Sequence, residues 1–325
     1  MAKQNKMSDY PSYLDAYKTG KLQKITQKLY SALCSCQICP RRCKVNRLEN
    51  KVGFCKTAAL PKVYSSMVHH GEEPPVSGTQ GSGTIFFSHC NMRCLYCQNY
   101  EFSHLGQGKE YSFAALAKVM LKLQAQGCHN INLVTPTHVL PQILKSLELA
   151  IPQGLKIPLV YNTSGYELVE MIKLLEGIVD IYLADSRYGD NLIAKELSQA
   201  EDYVERNQAS LKEMHRQVGL AQFSQDGLIT RGLIIRHLVL PNHLSATRNI
   251  MKFIAQELSQ DSYISLMSQY LPYHLASGNS KINRRIKAEE YAQAKKILEE
   301  YHLLNGWIQE AYGEERFAGI HIKPS

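Results

Sequence analysis

No stretch of this 325-residue chain holds the roughly 20 unbroken apolar residues of a membrane-spanning helix. The opening residues, Met1 to Tyr10, lack the apolar central run of a secretory signal. No internal repeat and no low-complexity tract stands out. Charge of one sign is also scarce: 37 basic residues against 29 acidic ones leave +8, spread along the chain except for a small knot at Arg41, Arg42, Lys44 and Arg47. That excess selects neither an acidic protein, nor a phosphate-bearing ligand, nor RNA, and its plain reading is a solvated basic surface. These absences point to a cytoplasmic chain with no membrane partner. A disulfide framework is excluded with them, because cytosolic thiols stay reduced.

What is present is cysteine, nine in all, in two groups: positions 34, 36, 39, 43 and 55, then 90, 94 and 97, with Cys128 alone. Dense cysteine in a cytosolic chain usually means metal. At 44% hydrophobic residues the chain can bury one large α/β core with a small accessory module.

Residues 1–75 read as a helical lead-in followed by a small cysteine-rich lobe, with residues 61–82 loop-like because of Gly71, Pro74, Pro75, Gly78 and Gly81. Short apolar runs at 84–88, 130–134, 158–161, 179–183, 233–239 and 263–267 then alternate with amphipathic stretches. Ser112 can cap a helix whose Phe113, Leu116, Val119, Met120 and Leu123 share one face, and Gly127 can end it. Strand alternating with helix predicts parallel strands and right-handed crossovers over 76–310, a partial (β/α)6 barrel, with an open doubly wound sheet as the rival. Residues 311–325 read as a tail. Barrels carry chemistry on the loops leaving the C-terminal ends of strands. Here those loops are polar: Thr135-Pro136-Thr137-His138, Asn162-Thr163-Ser164-Gly165, Asp185-Ser186-Arg187, and Gln269 to His274, with Arg236 inside the fifth run.

The first run leads into Cys90-Asn-Met-Arg-Cys94-Leu-Tyr-Cys97. Three thiolates converging from one short loop leave one iron of a [4Fe-4S] cubane without a protein ligand, which suits the binding of a small molecule better than simple electron transfer. Structural zinc on three cysteines and His89 or His104 is the competing reading, and three packed thiols the plainest. A second set, Cys36-x2-Cys39-Pro40-x2-Cys43-x11-Cys55, offers four thiols, enough to saturate zinc or a complete iron-sulfur cluster. Cys34 is an alternative to Cys36, and Cys128 reads as a packed residue.

The stretch from Ser88 to Tyr100 resembles that of the radical S-adenosylmethionine (SAM) proteins homologous to pyruvate formate-lyase-activating enzyme, and further similar pieces extend the resemblance over residues 30 to 310. The resemblance implies a [4Fe-4S] cluster on Cys90, Cys94 and Cys97 whose open iron chelates SAM. It implies reductive cleavage to a 5′-deoxyadenosyl radical that abstracts hydrogen from a substrate, a glycyl-radical enzyme among the candidates. It also places Tyr96 near the adenine and Asn162, Ser164, Asp185, Arg187, Arg236 and His274 around SAM. Asn162 stands where the family has a carboxylate, and Arg187 where it has lysine. In place of a Gly-Gly-Glu turn this chain has Thr135-Pro136, so Thr135 or backbone carbonyls take that role. The implied reductant is a flavodoxin or ferredoxin, a protein substrate fits, and nucleic acid is not expected. The alternatives are a non-catalytic zinc or iron-sulfur protein that binds RNA or a protein, and a radical SAM enzyme that modifies RNA.

Overall fold

A computed structural model describes residues 10–309 together with 320–321. The first nine residues and most of the expected 311–325 tail lie outside the described residues. Among the described residues, eleven strands form one sheet system: β1 (Lys62–His69), β2 (Ser82–Phe87), β3 (Lys109–Glu110), β4 (Ile131–Val134), β5 (Leu159–Thr163), β6 (Ile181–Asp185), β7 (Gln222–Phe223), β8 (Ile229–Leu238), β9 (Tyr263–Met267), β10 (Asn305–Ile308) and β11 (Ile320–His321). Their order is β11-β10-β9-β8-β6-β5-β4-β2-β1-β3, with β7 paired to β8.

From β2 to β10 every neighbouring pair on that path is parallel. The order follows the chain without reversing, whereas a doubly wound sheet reverses at a switch point. The fold is therefore the partial barrel, and the doubly wound rival falls. All six expected strands are present. β10 adds a seventh parallel strand that the sequence reading passed over, since four residues interrupted by Gly306 give little strand signal.

Side-chain alternation divides the sheet into two faces. Outward residues such as Tyr161, Tyr182, Ala184, Leu233 and Ile235 join Leu116, Ile143, Leu211, Ile250 and Leu298 of the surrounding helices in one large core. Inward residues Val160, Ile181, Leu183, Ile229 and Ile234 form a separate small core with Val76 and Trp307. Two residues further along the same inner face stand Asn162, Asp185 and Arg236. Each strand thus runs from an apolar plug at one end of the barrel to a polar group at the other, which is what positions the site.

Local chemistry explains the helices that matter here. Ser112 accepts from the Ala115 N–H at 3.2 Å and starts the helix Phe113–Ala125, and Gly127, at φ 88°, turns the chain out of it. The polar stretch from Asn191 forms the helices Asn191–Ser198 and Tyr203–Val218, and a β7–β8 hairpin follows them.

The loop expected over 61–82 is corrected by β1, which pairs antiparallel with β2, and by a single helical turn at Pro74–Ser77. β1 exposes much of its length, so its sequence carries no clean apolar alternation. Among the described residues no helix is long and apolar enough to cross a membrane.

Candidate metal and cofactor site

The C-terminal ends of the parallel strands open on a cleft of about 660 Å3, a volume typical of small-molecule sites. Of the sequence-predicted residues, Tyr96, Cys97, Thr135, Asn162, Ser164, Asp185, Arg187 and Arg236 line it. His274 does not. Its ring stacks on Tyr100 at 4.8 Å and meets His104 edge-on at 4.9 Å.

The Cys90 loop is wired into this wall. Cys94 is 4% exposed, and its Sγ receives Arg187 Nη1 at 3.3 Å while Arg187 Nε donates to Asp185 at 2.8 Å. The Cys90 Sγ accepts the Met92 N–H at 3.3 Å, and Cys97 lies 3.0 Å from the Ser103 hydroxyl. Burial, and then the neighbouring Cys94, push the Cys90 thiol up to about 12, and burial likewise raises Cys97. Such thiols give up their protons when a metal takes their place. Tyr96 is fixed by a hydroxyl chain: its OH lies 2.6 Å from Tyr188 OH, which lies 2.5 Å from Ser198 Oγ.

The loops after β4 and β5 are equally constrained. Gly165 is at φ 75°, and a Cβ there would fall 2.2 Å from the Asp185 carbonyl and 2.1 Å from Asn207 Nδ2, so only glycine lets this turn sit against β6. Thr135 holds a left-handed φ of 58°, rare for a β-branched residue, with its N–H donating to Asn162 O at 2.9 Å. Ser164 is buried in the cleft wall with its Oγ unpartnered. A buried hydroxyl left without a partner in a roomy cleft that Cys97 also lines fits a polar ligand bound beside a metal group.

Two residues that the sequence reading missed dominate the charge of the cleft. Arg236 forks onto Glu73 at 2.8 and 2.7 Å, pairs with Glu72, and donates to Asn162 Oδ1 at 3.3 Å. Burial opposes ionisation of Glu72, but Arg236 and His69 outweigh it and hold its carboxyl down at about 2. The only sequence signal was two adjacent carboxylates before Pro74-Pro75; their partner lies 163 and 164 positions away.

Behind the cleft, burial lifts Glu167 to about 7 although the Thr137, Thr163 and Tyr161 hydroxyls all donate to its Oε1. Its Oε2 has no partner. A raised carboxyl contributes stability that is whole below about pH 4.5 and fades as pH rises through 7. Glu167→Gln should therefore flatten the decline in urea-unfolding free energy between those pH values, a difference of about 3 kcal/mol at pH 8.

The second thiol set converges as well. Cys36, Cys39, Cys43 and Cys55 line one small void with Arg41, Arg47, Gly53 and His138. Gly53 passes so close that a Cβ would lie 2.7 Å from the Cys43 Sγ. Burial, then Cys55, raises the Cys39 thiol. Cys34 is exposed and outside this lining, and Cys128 is packed in the core. Among the described residues no three Cys, His, Asp or Glu side chains are already posed as a ligand set for a single ion.

The family model described as "Radical SAM superfamily" matches residues 84–217. The uncharacterised protein MJ0674 of Methanocaldococcus jannaschii is 34% identical over 283 residues, covering 83% of this chain and 75% of that protein. Among solved structures, HydG, a maturase of the [FeFe]-hydrogenase, is similar with a TM-score of 0.43 at 10% identity, over 91% of this chain but only 64% of the HydG chain.

Proposed function

This chain belongs to the radical SAM superfamily, and from that premise we propose that it cleaves SAM reductively in the cleft and uses the product to abstract hydrogen from an organic substrate. One observation carries the reading: the Cys97 and Tyr96 end of the three-cysteine loop faces a cleft of about 660 Å3 in which the Ser164 hydroxyl is buried without a partner. When bound, a [4Fe-4S] cluster with SAM supplies one-electron cleavage of a sulfonium bond.

The residues of the chain hold and orient. Cys90, Cys94 and Cys97 are the thiol ligands, and Arg187 fixes Cys94 against Asp185. Ser164 and Asn162 offer polar contacts to the bound ligand, Thr135 presents a strained turn to it, and the tethered Tyr96 ring gives it an apolar wall. Cys36, Cys39, Cys43 and Cys55 hold a second metal group in this reading. A cytoplasmic setting with a flavodoxin or ferredoxin as reductant belongs to the same proposal. The resemblance to activating enzymes makes a glycine of a partner protein the first hydrogen donor to test.

The deciding experiment is anaerobic reconstitution with iron and sulfide, then SAM and dithionite, with 5′-deoxyadenosine and methionine quantified together. Equal formation of both supports the proposal. Cluster-loaded protein that binds SAM and yields neither overturns it.

A further inference from the structure

Cys36, Cys39, Cys43 and Cys55 line one small void together. Four thiols saturate either a zinc ion or a complete iron-sulfur cluster. Of the two, only the cluster can pass an electron on, because zinc has no redox chemistry.

The groups around the void call for negative charge. Arg47 is 1% exposed, and among the described residues its partners are the carbonyls of Ala58 and His138 and the Cys36 thiol, with no carboxylate. Arg41 lines the same void, and its Nη2 is buried without a partner. Buried guanidinium groups without a counter-charge are costly. Four thiolates on an iron-sulfur core carry net negative charge and answer both arginines.

This set also touches the Cys90 loop directly. Arg41 Nε donates to Asn91 O at 2.8 Å, and Arg93 Nη2 donates to Phe54 O at 2.6 Å. The Phe54 ring takes both guanidinium groups, at 3.8 and 4.6 Å from its centroid. One hydrogen bond therefore separates the residue before Cys55 from the loop of the first cluster.

We infer that Cys36, Cys39, Cys43 and Cys55 hold a [4Fe-4S] cluster that relays one electron from a reduced low-potential carrier protein to the group on the Cys90 loop. The carrier loses one electron, the N-terminal cluster passes from the 2+ to the 1+ state and back, and the group on the Cys90 loop gains it. Only the identity of that receiving group rests on the function proposed above.

The test is the Cys90→Ala, Cys94→Ala, Cys97→Ala triple variant, reconstituted anaerobically with zinc also present. It should hold about four iron and four sulfide per chain and give a dithionite-induced EPR signal, both lost on adding Cys36→Ser and Cys39→Ser. A folded triple variant that takes up zinc, or no metal, overturns the inference. Should the triple variant not fold, Cys36→Ser with Cys39→Ser in the otherwise intact chain is expected to lower iron from about eight to about four per chain. Reduced wild-type protein should then show spin-coupled broadening that this variant lacks. Unchanged iron content or an unbroadened wild-type spectrum overturns the inference. SAM cleavage is not among these readouts, so a failure here is distinct from a failure of the proposed function.

Discussion

Cys94→Ala is expected to reduce 5′-deoxyadenosine formation to the level of the protein-free control. A thiol that ligates iron is not replaceable by packing. Loss of an outer partner of a metal ligand typically costs only about 10–100-fold, which is the range expected for Arg187→Gln. The contrast between the two variants is the informative part. Arg187 touches Cys94 through one hydrogen bond at 3.3 Å and keeps a second tie to Asp185. In Cys94→Ala that second tie survives, so the far-UV circular dichroism should match wild type while the iron bound at this loop falls. If Cys94→Ala turns over SAM at the wild-type rate, the assignment of this thiol is wrong.

Arg236→Met is expected to cost about 3–5 kcal/mol of folding free energy, the range seen when one partner of a buried ion pair is removed. Glu72 and Glu73 have side chains 7% and 1% exposed, and the substitution strands both carboxylates without their shared cation. The pH dependence should also change sign. In wild type the Glu72 carboxyl is held at about 2, so its contribution is complete above the usual glutamate range and is lost as pH falls through 2. Without Arg236, burial of Glu72 is opposed only by His69 and by Asn132 Nδ2, which donates to it at 2.9 Å, so the Glu72 carboxyl takes up a proton more readily and the variant regains stability as pH falls from 7 to 5. Urea unfolding of both proteins at pH 5, 6 and 7 reads this directly. Parallel slopes would show that Arg236 does not compensate these carboxylates.

Much of the scaffold was legible because parallel barrel strands are buried on both faces and read as apolar runs bounded by turns. Asn162 and Asp185 could be placed on the rim since each opens a polar stretch directly after an apolar run, and Arg236 since the resemblance put it beside the same ligand. The N-terminal thiols were legible from spacing alone.

What escaped has physical causes. β1 is an exposed antiparallel neighbour of β2 whose mixed polarity sits beside a Pro-Gly-rich stretch, so its local signal is that of a loop. Glu72 and Glu73 take their meaning from Arg236, brought to them only by barrel curvature. The Tyr96, Tyr188 and Ser198 hydroxyl chain joins the Cys90 loop, the turn after β6 and the end of the helix Asn191–Ser198. His274 lies on Tyr100, a contact that a four-residue match cannot foretell.

Gln309, just past β10, lines the cleft, and its Oε1 accepts from the backbone N–H groups of Ser268 and Gln269 at 2.7 and 3.1 Å. The segment that matches the family, residues 84–217, therefore ends well short of one cleft wall, and it begins after Glu72 and Glu73. A fragment trimmed to that segment would retain the three thiols of the Cys90 loop yet lack Arg236, Tyr270 and Gln309 on one side and the Glu72-Glu73 pair on the other. For this protein the smallest unit worth expressing runs from Tyr13, which with Leu22 and Leu29 is buried in the main core, through residue 309; a narrower cut removes the vessel and keeps only the spark.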